Sequence, residues 1–157
     1  MPGTVTTFTA MLGDAGVEYQ LLEHARTETA AEEAAALGLP PHDVAKTIVV
    51  ATQEGNIRVL LPASERLDMQ KLRELVGGGK DTHLLSEHDL QRDYPEFELG
   101  AVPPLGGRRG DRVIVDVRIA DHDTVVLEAG VHNASVRLRT RDLIALVRAE
   151  TADVCID

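Results

Sequence analysis

The run Ile48-Val49-Val50 constrains the fold most, because Lys46 stands just ahead of it, after Asp43-Val44-Ala45. An apolar, β-branched run of this kind reads as a central strand buried on both faces. Desolvating an ammonium is costly. A lysine that opens such a strand therefore snorkels to solvent or waits for an anion at the strand's end. Glu54-Gly55-Asn56 then signals a hairpin turn, and Ile57-Arg58-Val59-Leu60-Leu61 returns as its second strand, ended by Pro62.

Helices and further strands surround this hairpin. Phe8, Met11 and Leu12 recur at helical spacing before Gly16, and residues 17–22 read as a strand that runs into the polar elbow Glu23-His24-Ala25-Arg26-Thr27. Thr29-Ala30-Ala31-Glu32 has the capping-box pattern and opens an alanine-rich helix that closes at Gly38. Helices are expected over 68–76, after Ser86 and after Thr140. Strands are expected at 83–85, 113–119, 124–128, 135–138 and 154–156, with Ala129 to Asn133 as an interruption. Strands in hairpins with interspersed helices predict an α+β fold with a mixed, largely antiparallel sheet and helices packed around it, in a single compact domain over residues 1–157.

Composition narrows the function. The chain has 157 residues with 26 acidic against 16 basic side chains, a net charge of −10, which argues against broad binding to a phosphate backbone and against DNA. It leaves room for a local basic mouth that takes one RNA end. Aromatic residues are 3% with no Trp, too few for a base-stacking platform. No run of 18 apolar residues occurs, no basic-then-apolar leader opens the sequence, and the single cysteine, Cys155, fits a reducing compartment. The expectation is a soluble cytoplasmic protein with no membrane partner.

Familiar catalytic patterns fail. Gly77-Gly78-Gly79-Lys80 lacks phosphate-loop spacing and is followed by Asp81 rather than Ser or Thr. The six histidines make no metal signature, so no metal and no cofactor are expected. Ser64, Ser86 and Ser135 lack a nucleophile-elbow setting, and no pair of carboxylates stands out. Two permissive loops remain. Gly100-Ala101-Val102-Pro103-Pro104-Leu105-Gly106 combines glycine freedom with stiff prolines and suits the presentation of main-chain groups to a ligand, and Gly130-Val131-His132-Asn133 is a second turn with polar side chains.

The order of these features resembles the YbaK/prolyl-tRNA-editing domain family of aminoacyl-tRNA deacylases. It is carried by His24 and Thr27 before the helix with Glu33-Ala34-Ala35, by Lys46, and by Leu60-Leu61-Pro62-Ala63. Gly100-x-x-x-Pro104-x-Gly106 and Ala129-Gly130 before Ser135-Val136-Arg137-Leu138 complete it. The resemblance implies a partly barrel-like sheet. It also implies metal-free, substrate- and backbone-assisted hydrolysis of the ester that joins a small mischarged amino acid to tRNA.

Under that resemblance Lys46 and Gly100 are the catalytic positions, with Lys46 on a phosphate of the tRNA end. Tyr19, His24, Thr27, Ala101, Val102, Pro103, Pro104, Gly130, His132 and Asn133 would bind substrate, and Arg26, Arg108 and Arg109 would bind tRNA. The implied partners are the aminoacylated 3′ end of tRNA and an aminoacyl-tRNA synthetase. The alternative is a non-catalytic module that holds a tRNA end, a nucleotide or a small acyl ligand in the same cleft.

Overall fold

The computed structural model describes residues 6–77, 81–107 and 110–157. Helix α1 (Thr7–Asp14) is capped by the Thr6 hydroxyl, which accepts from the Thr9 amide. Strand β1 (Tyr19–Glu23) leads through the elbow to α2 (Ala30–Leu37). Thr29 caps α2 by accepting from the Glu32 amide, and Gly38 closes it at φ 69°. The Glu32 carboxylate reaches back to the Glu28 amide rather than to the cap residue itself.

A 3-10 turn (Pro41–Asp43) delivers the chain to β2 (Ala45–Thr52). This strand pairs antiparallel with β3 (Gly55–Pro62), Lys46 opposite Leu61 and Val50 opposite Ile57. Helix α3 (Met69–Val76) is capped by Asp68, β4 (His83–Leu84) follows, and Ser86 caps α4 (Glu87–Asp93).

Strand β5 (Arg112–Asp116) stops short of the expected Ile119. The Asp116 carboxylate accepts from the Arg118 amide and starts the short helix α5 (Val117–Ala120). Strand β6 (Thr124–Val131) continues past Glu128 and takes Ala129 and Gly130 into the strand, with a register irregularity between Glu128 and Val131. The expected interruption is therefore a bulge. Strand β7 (Ala134–Arg139) runs into α6 (Thr140–Val147), whose cap position is Arg139 and has no side-chain cap bond. The last strand is β8 (Glu150–Ala152), and Cys155 forms an isolated bridge with Leu67 instead of a strand.

Among the described residues the strands form two sheets, one in the order β1-β7-β6 and one in the order β4-β2-β3-β5-β8. The α+β, mixed-sheet expectation holds, but the partly barrel-like sheet does not. Closure needs a continuous ladder around the barrel. Here both sheets are open, and among the described residues only the isolated bridge Val44–Val126 links them. The parallel pairings β3/β5 and β5/β8 extend the larger sheet outward to the three-residue edge strand β8 instead of curling it back.

Both faces of the larger sheet are covered. Leu60, Val113 and Val115 pack with Phe8, Leu12, Val125, Leu127, Val136, Leu138 and Leu143, joining α1, the smaller sheet and α6 in one core. Val50, Ile57, Val59, Leu61 and Ile114 pack on the other side with Leu72 of α3, Val154 and Cys155. Burial on both sides is why β2 and β3 read as continuous apolar runs.

Candidate active site

The start of β2, the middle of β6, the start of α2 and the loop after α4 converge on a cleft of about 240 Å³. Thr29, Ala30, Ala45, Lys46, Thr47, Ile48, Gly100, Ala101, Val102, Leu127 and Glu128 line it. A second, more apolar lobe of about 270 Å³ shares Thr47, Ile48, Gly100 and Val102 and adds Val49, Leu84, Leu85 and Leu90. Roomier hollows of about 530 and 1010 Å³ lie at the β2–β3 hairpin tip and beside α1, but neither contains Lys46 or Gly100.

Lys46 is half-buried, and among the described residues its ammonium makes no hydrogen bond or ion pair. Burial holds its pKa below the ordinary lysine value, with Cys155, Arg66 and Glu65 as further influences. Gly100 stands at φ 85°, a conformation that favours glycine. The Ala101 amide donates to the Glu98 carbonyl at 2.9 Å, while the Gly100 and Val102 amides have no partner among the described residues.

The loop behind these amides is fastened by Arg58. This buried guanidinium donates to the Pro103 carbonyl at 2.7 Å and to the Gly106 carbonyl, pairs with Asp111 at 3.0 Å, and stacks over the Tyr94 ring. Pro103 and Pro104 are buried but stand outside the cleft lining. The loop's stiffness thus comes from an arginine fork as well as from its prolines.

Glu128 brings an acidic side chain to the cleft. Its Oε2 lies 3.0 Å from His132 Nδ1, while His132 Nε2 donates to the Leu99 carbonyl at 2.6 Å. A carbonyl only accepts, so Nε2 must carry hydrogen, and the histidine–glutamate pair shares one further proton. Burial raises the Glu128 carboxyl above the usual range, against the pull of His132. For His132, burial is outweighed by Leu99 and Glu128, and its pKa is raised. The His132 amide donates to Glu98, which also pairs with Arg26 at 3.2 Å.

Of the other expected positions among the described residues, Ala101 and Val102 line the cleft and the rest lie outside its lining. His24 hydrogen-bonds to Ser135 Oγ at 2.9 Å and donates through Nδ1 to the Ala25 carbonyl. The Thr27 amide donates to the His132 carbonyl, and the His24 amide to that of Asn133, which ties the elbow to the β6–β7 turn. A Cβ on Gly130, at φ 92°, would lie 2.7 Å from the Phe97 ring. Tyr19 is exposed on β1, away from the cleft lining. Arg26 is exposed and paired with Glu28 and Glu98, and Arg108 and Arg109 lie outside the described residues. Cys155 is buried, and burial pushes its thiol up to about 12, so it is no nucleophile at neutral pH.

Sequence reasoning missed Glu128 and Arg58. The available signal was a charged residue inside an apolar strand.

A model of the aminoacyl-tRNA editing domain matches residues 24–146. The chain belongs to that family. It is thus a member of the YbaK-type trans-editing deacylases and an ester hydrolase of aminoacyl-tRNA, which entails interaction with tRNA. The editing-domain chain is 22% identical over 133 residues to EbsC of Enterococcus faecalis, named as a candidate Cys-tRNA(Pro)/Cys-tRNA(Cys) deacylase. The match covers 84% of this chain and 78% of EbsC. Its fold matches the hypothetical protein APE2540 with a TM-score of 0.86 at 26% identity, over 94% of this chain and 98% of that one. A candidate trans-editing enzyme for prolyl-tRNA synthetase matches at 0.83 and 25% identity, over 96% and 93%. Among the described residues no helix is long and apolar enough to cross a membrane.

Proposed function

We propose that this chain, acting as one editing domain in the cytoplasm beside an aminoacyl-tRNA synthetase, removes a small mischarged amino acid from tRNA by metal-free ester hydrolysis. The observation that carries the reading is the convergence of Lys46, Gly100 and Glu128 on one cleft of about 240 Å³. That volume lies below the roughly 300–1,000 Å³ of sites for drug-sized ligands. Ala45, Ala101 and Gly100 contribute little side-chain volume to its walls. An alanine-, serine-, cysteine-, threonine- or proline-sized aminoacyl group suits such a space.

Each part then has a role. Lys46 neutralises a phosphate at the tRNA end as a compact point charge. The unpartnered Gly100 and Val102 amides donate to the ester oxygen as it gains negative charge, a preorganised arrangement that needs no reorganisation during reaction. Glu128, held by His132, accepts from the substrate's α-ammonium and fixes the carbonyl against those amides. The ribose hydroxyl of the substrate assists the attacking water. The apolar lobe beside Ile48, Leu85 and Leu90 takes the terminal base.

The test is the deacylation rate on a panel of charged tRNAs, with and without EDTA. Small aminoacyl groups should be removed at least about tenfold faster than phenylalanyl or tryptophanyl groups, the discrimination a shape-limited pocket supplies. The rates should survive EDTA. Preference for the large groups would contradict the pocket, and loss in EDTA restored by zinc, with the fold intact by melting curve, would contradict the metal-free chemistry. Tight binding of charged tRNA without turnover would favour the binding-module reading instead.

A further inference from the structure

His122 stands in the turn between α5 and β6 with both ring nitrogens engaged. Nδ1 lies 2.7 Å from the Arg118 carbonyl, and Nε2 lies 3.0 Å from Asp43 Oδ1. The carbonyl can only accept, so Nδ1 carries the hydrogen. In a neutral imidazole Nε2 then offers a lone pair to a carboxylate oxygen that also has only lone pairs to offer. A positive species belongs between them, a proton or a metal ion.

His42 favours the metal. Its Nε2 approaches the same Asp43 Oδ1 at 3.4 Å, and the ligand atoms of the three residues all lie within 4.8 Å of one another. One proton bridges one pair of atoms, whereas a metal ion can engage all three. Tetrahedral zinc with ligands at about 2.0–2.1 Å holds its donor atoms about 3.3 Å apart. Both separations from Asp43 Oδ1 are near that value. A ligating histidine whose other nitrogen is tied to a carbonyl, as Nδ1 of His122 is tied to Arg118, is the usual supporting contact of a zinc site.

We infer that His42, Asp43 and His122 form a zinc site that clamps the seam between the two sheets. His42 and Asp43 end the turn just before Val44, and His122 lies two residues before β6. Val44 and Val126 form the lone bridge that joins the sheets among the described residues. An adjoining hollow of about 170 Å³, lined in part by Asp123 and Thr124, leaves space for water to complete the coordination. Two imidazoles and one carboxylate suit a borderline ion such as zinc over magnesium or calcium, which prefer oxygen ligands. None of the three residues lines the cleft, so the site does not depend on the proposed chemistry.

The experiment is calorimetric titration of the untagged full chain with zinc chloride, paired with melting curves. One ion should bind per chain. Zinc at about 100 times its Kd should raise Tm by about 5–10 °C, and magnesium should not. His42→Ala, a change at an exposed ring, should leave the zinc-free Tm unchanged and weaken zinc roughly tenfold or more. His122→Gln should weaken it likewise. Absence of zinc binding would overturn the site. So would undiminished binding in both variants, or an equal Tm rise with magnesium.

Discussion

Glu33 has no solvent exposure, and its Oε1 has no hydrogen-bond partner among the described residues. Its Oε2 shares a short hydrogen bond with Ser135 Oγ, which in turn meets His24 Nε2. The Ser135 hydroxyl donates to Glu33 Oε2. Burial pushes the carboxyl from 4.5 up to about 8, with Ser135 pulling down and Glu128 adding a smaller upward push.

A carboxyl that keeps its proton longer when folded stabilises the fold in acid. The contribution is complete below about 4.5 and is lost as pH rises through about 8. Glu33→Gln mimics the acid form at every pH. Between about pH 6 and pH 9 the wild type should lose about 5 °C more in Tm than the variant. Parallel melting profiles would contradict a protonated Glu33.

At the scale of elements, Arg58 of β3 joins the central hairpin to the glycine–proline loop. Removing one partner of a buried ion pair leaves the other charge uncompensated, at a cost of about 3–5 kcal/mol. Arg58→Ala should lose about that much stability in urea unfolding, and Arg58→Lys should recover little, because a single ammonium cannot replace the fork to Pro103 and Gly106. A loss below about 1 kcal/mol would show that the loop holds itself.

Local chemistry was legible in the sequence wherever a cap or turn decided the outcome. Thr29, Asp68 and Ser86 cap the helices they were expected to start, and β2 turns back as β3 where Gly55 allows it. The strand ending at Asp116 was misjudged because Val117 and Ile119 continue the apolar pattern, while the Asp116 carboxylate turns the backbone into α5. Arg58 read only as one residue of the returning strand because its partners, Pro103, Gly106 and Asp111, are more than forty residues away. Glu128 and His132 are only four residues apart, but their pairing depends on the bulge in β6.

Across the whole molecule, the two open sheets meet at Val44–Val126, and the cleft opens just beyond that seam, where β2 gives Ala45 to Ile48 and β6 gives Leu127 and Glu128. No periodicity records that meeting, since it joins segments about eighty residues apart. The order of motifs still pointed to Lys46 and Gly100, and both line the cleft. Under the proposed reading, a net charge of −10 leaves little general affinity for tRNA, so recognition would concentrate at this mouth.

The central claim is that the ester is cleaved in this cleft. Its most direct test is the single-turnover deacylation rate of the best small aminoacyl-tRNA with wild type, Ala101→Leu and Lys46→Ala. Leucine at position 101 would fill part of the cleft that Ala101 lines, and alanine at position 46 removes the charge proposed for the phosphate. Each should lower the rate by about 10²-fold or more, the scale of losing a positioned group, with Tm preserved in Lys46→Ala. Wild-type rates in both variants would place the chemistry elsewhere on the molecule.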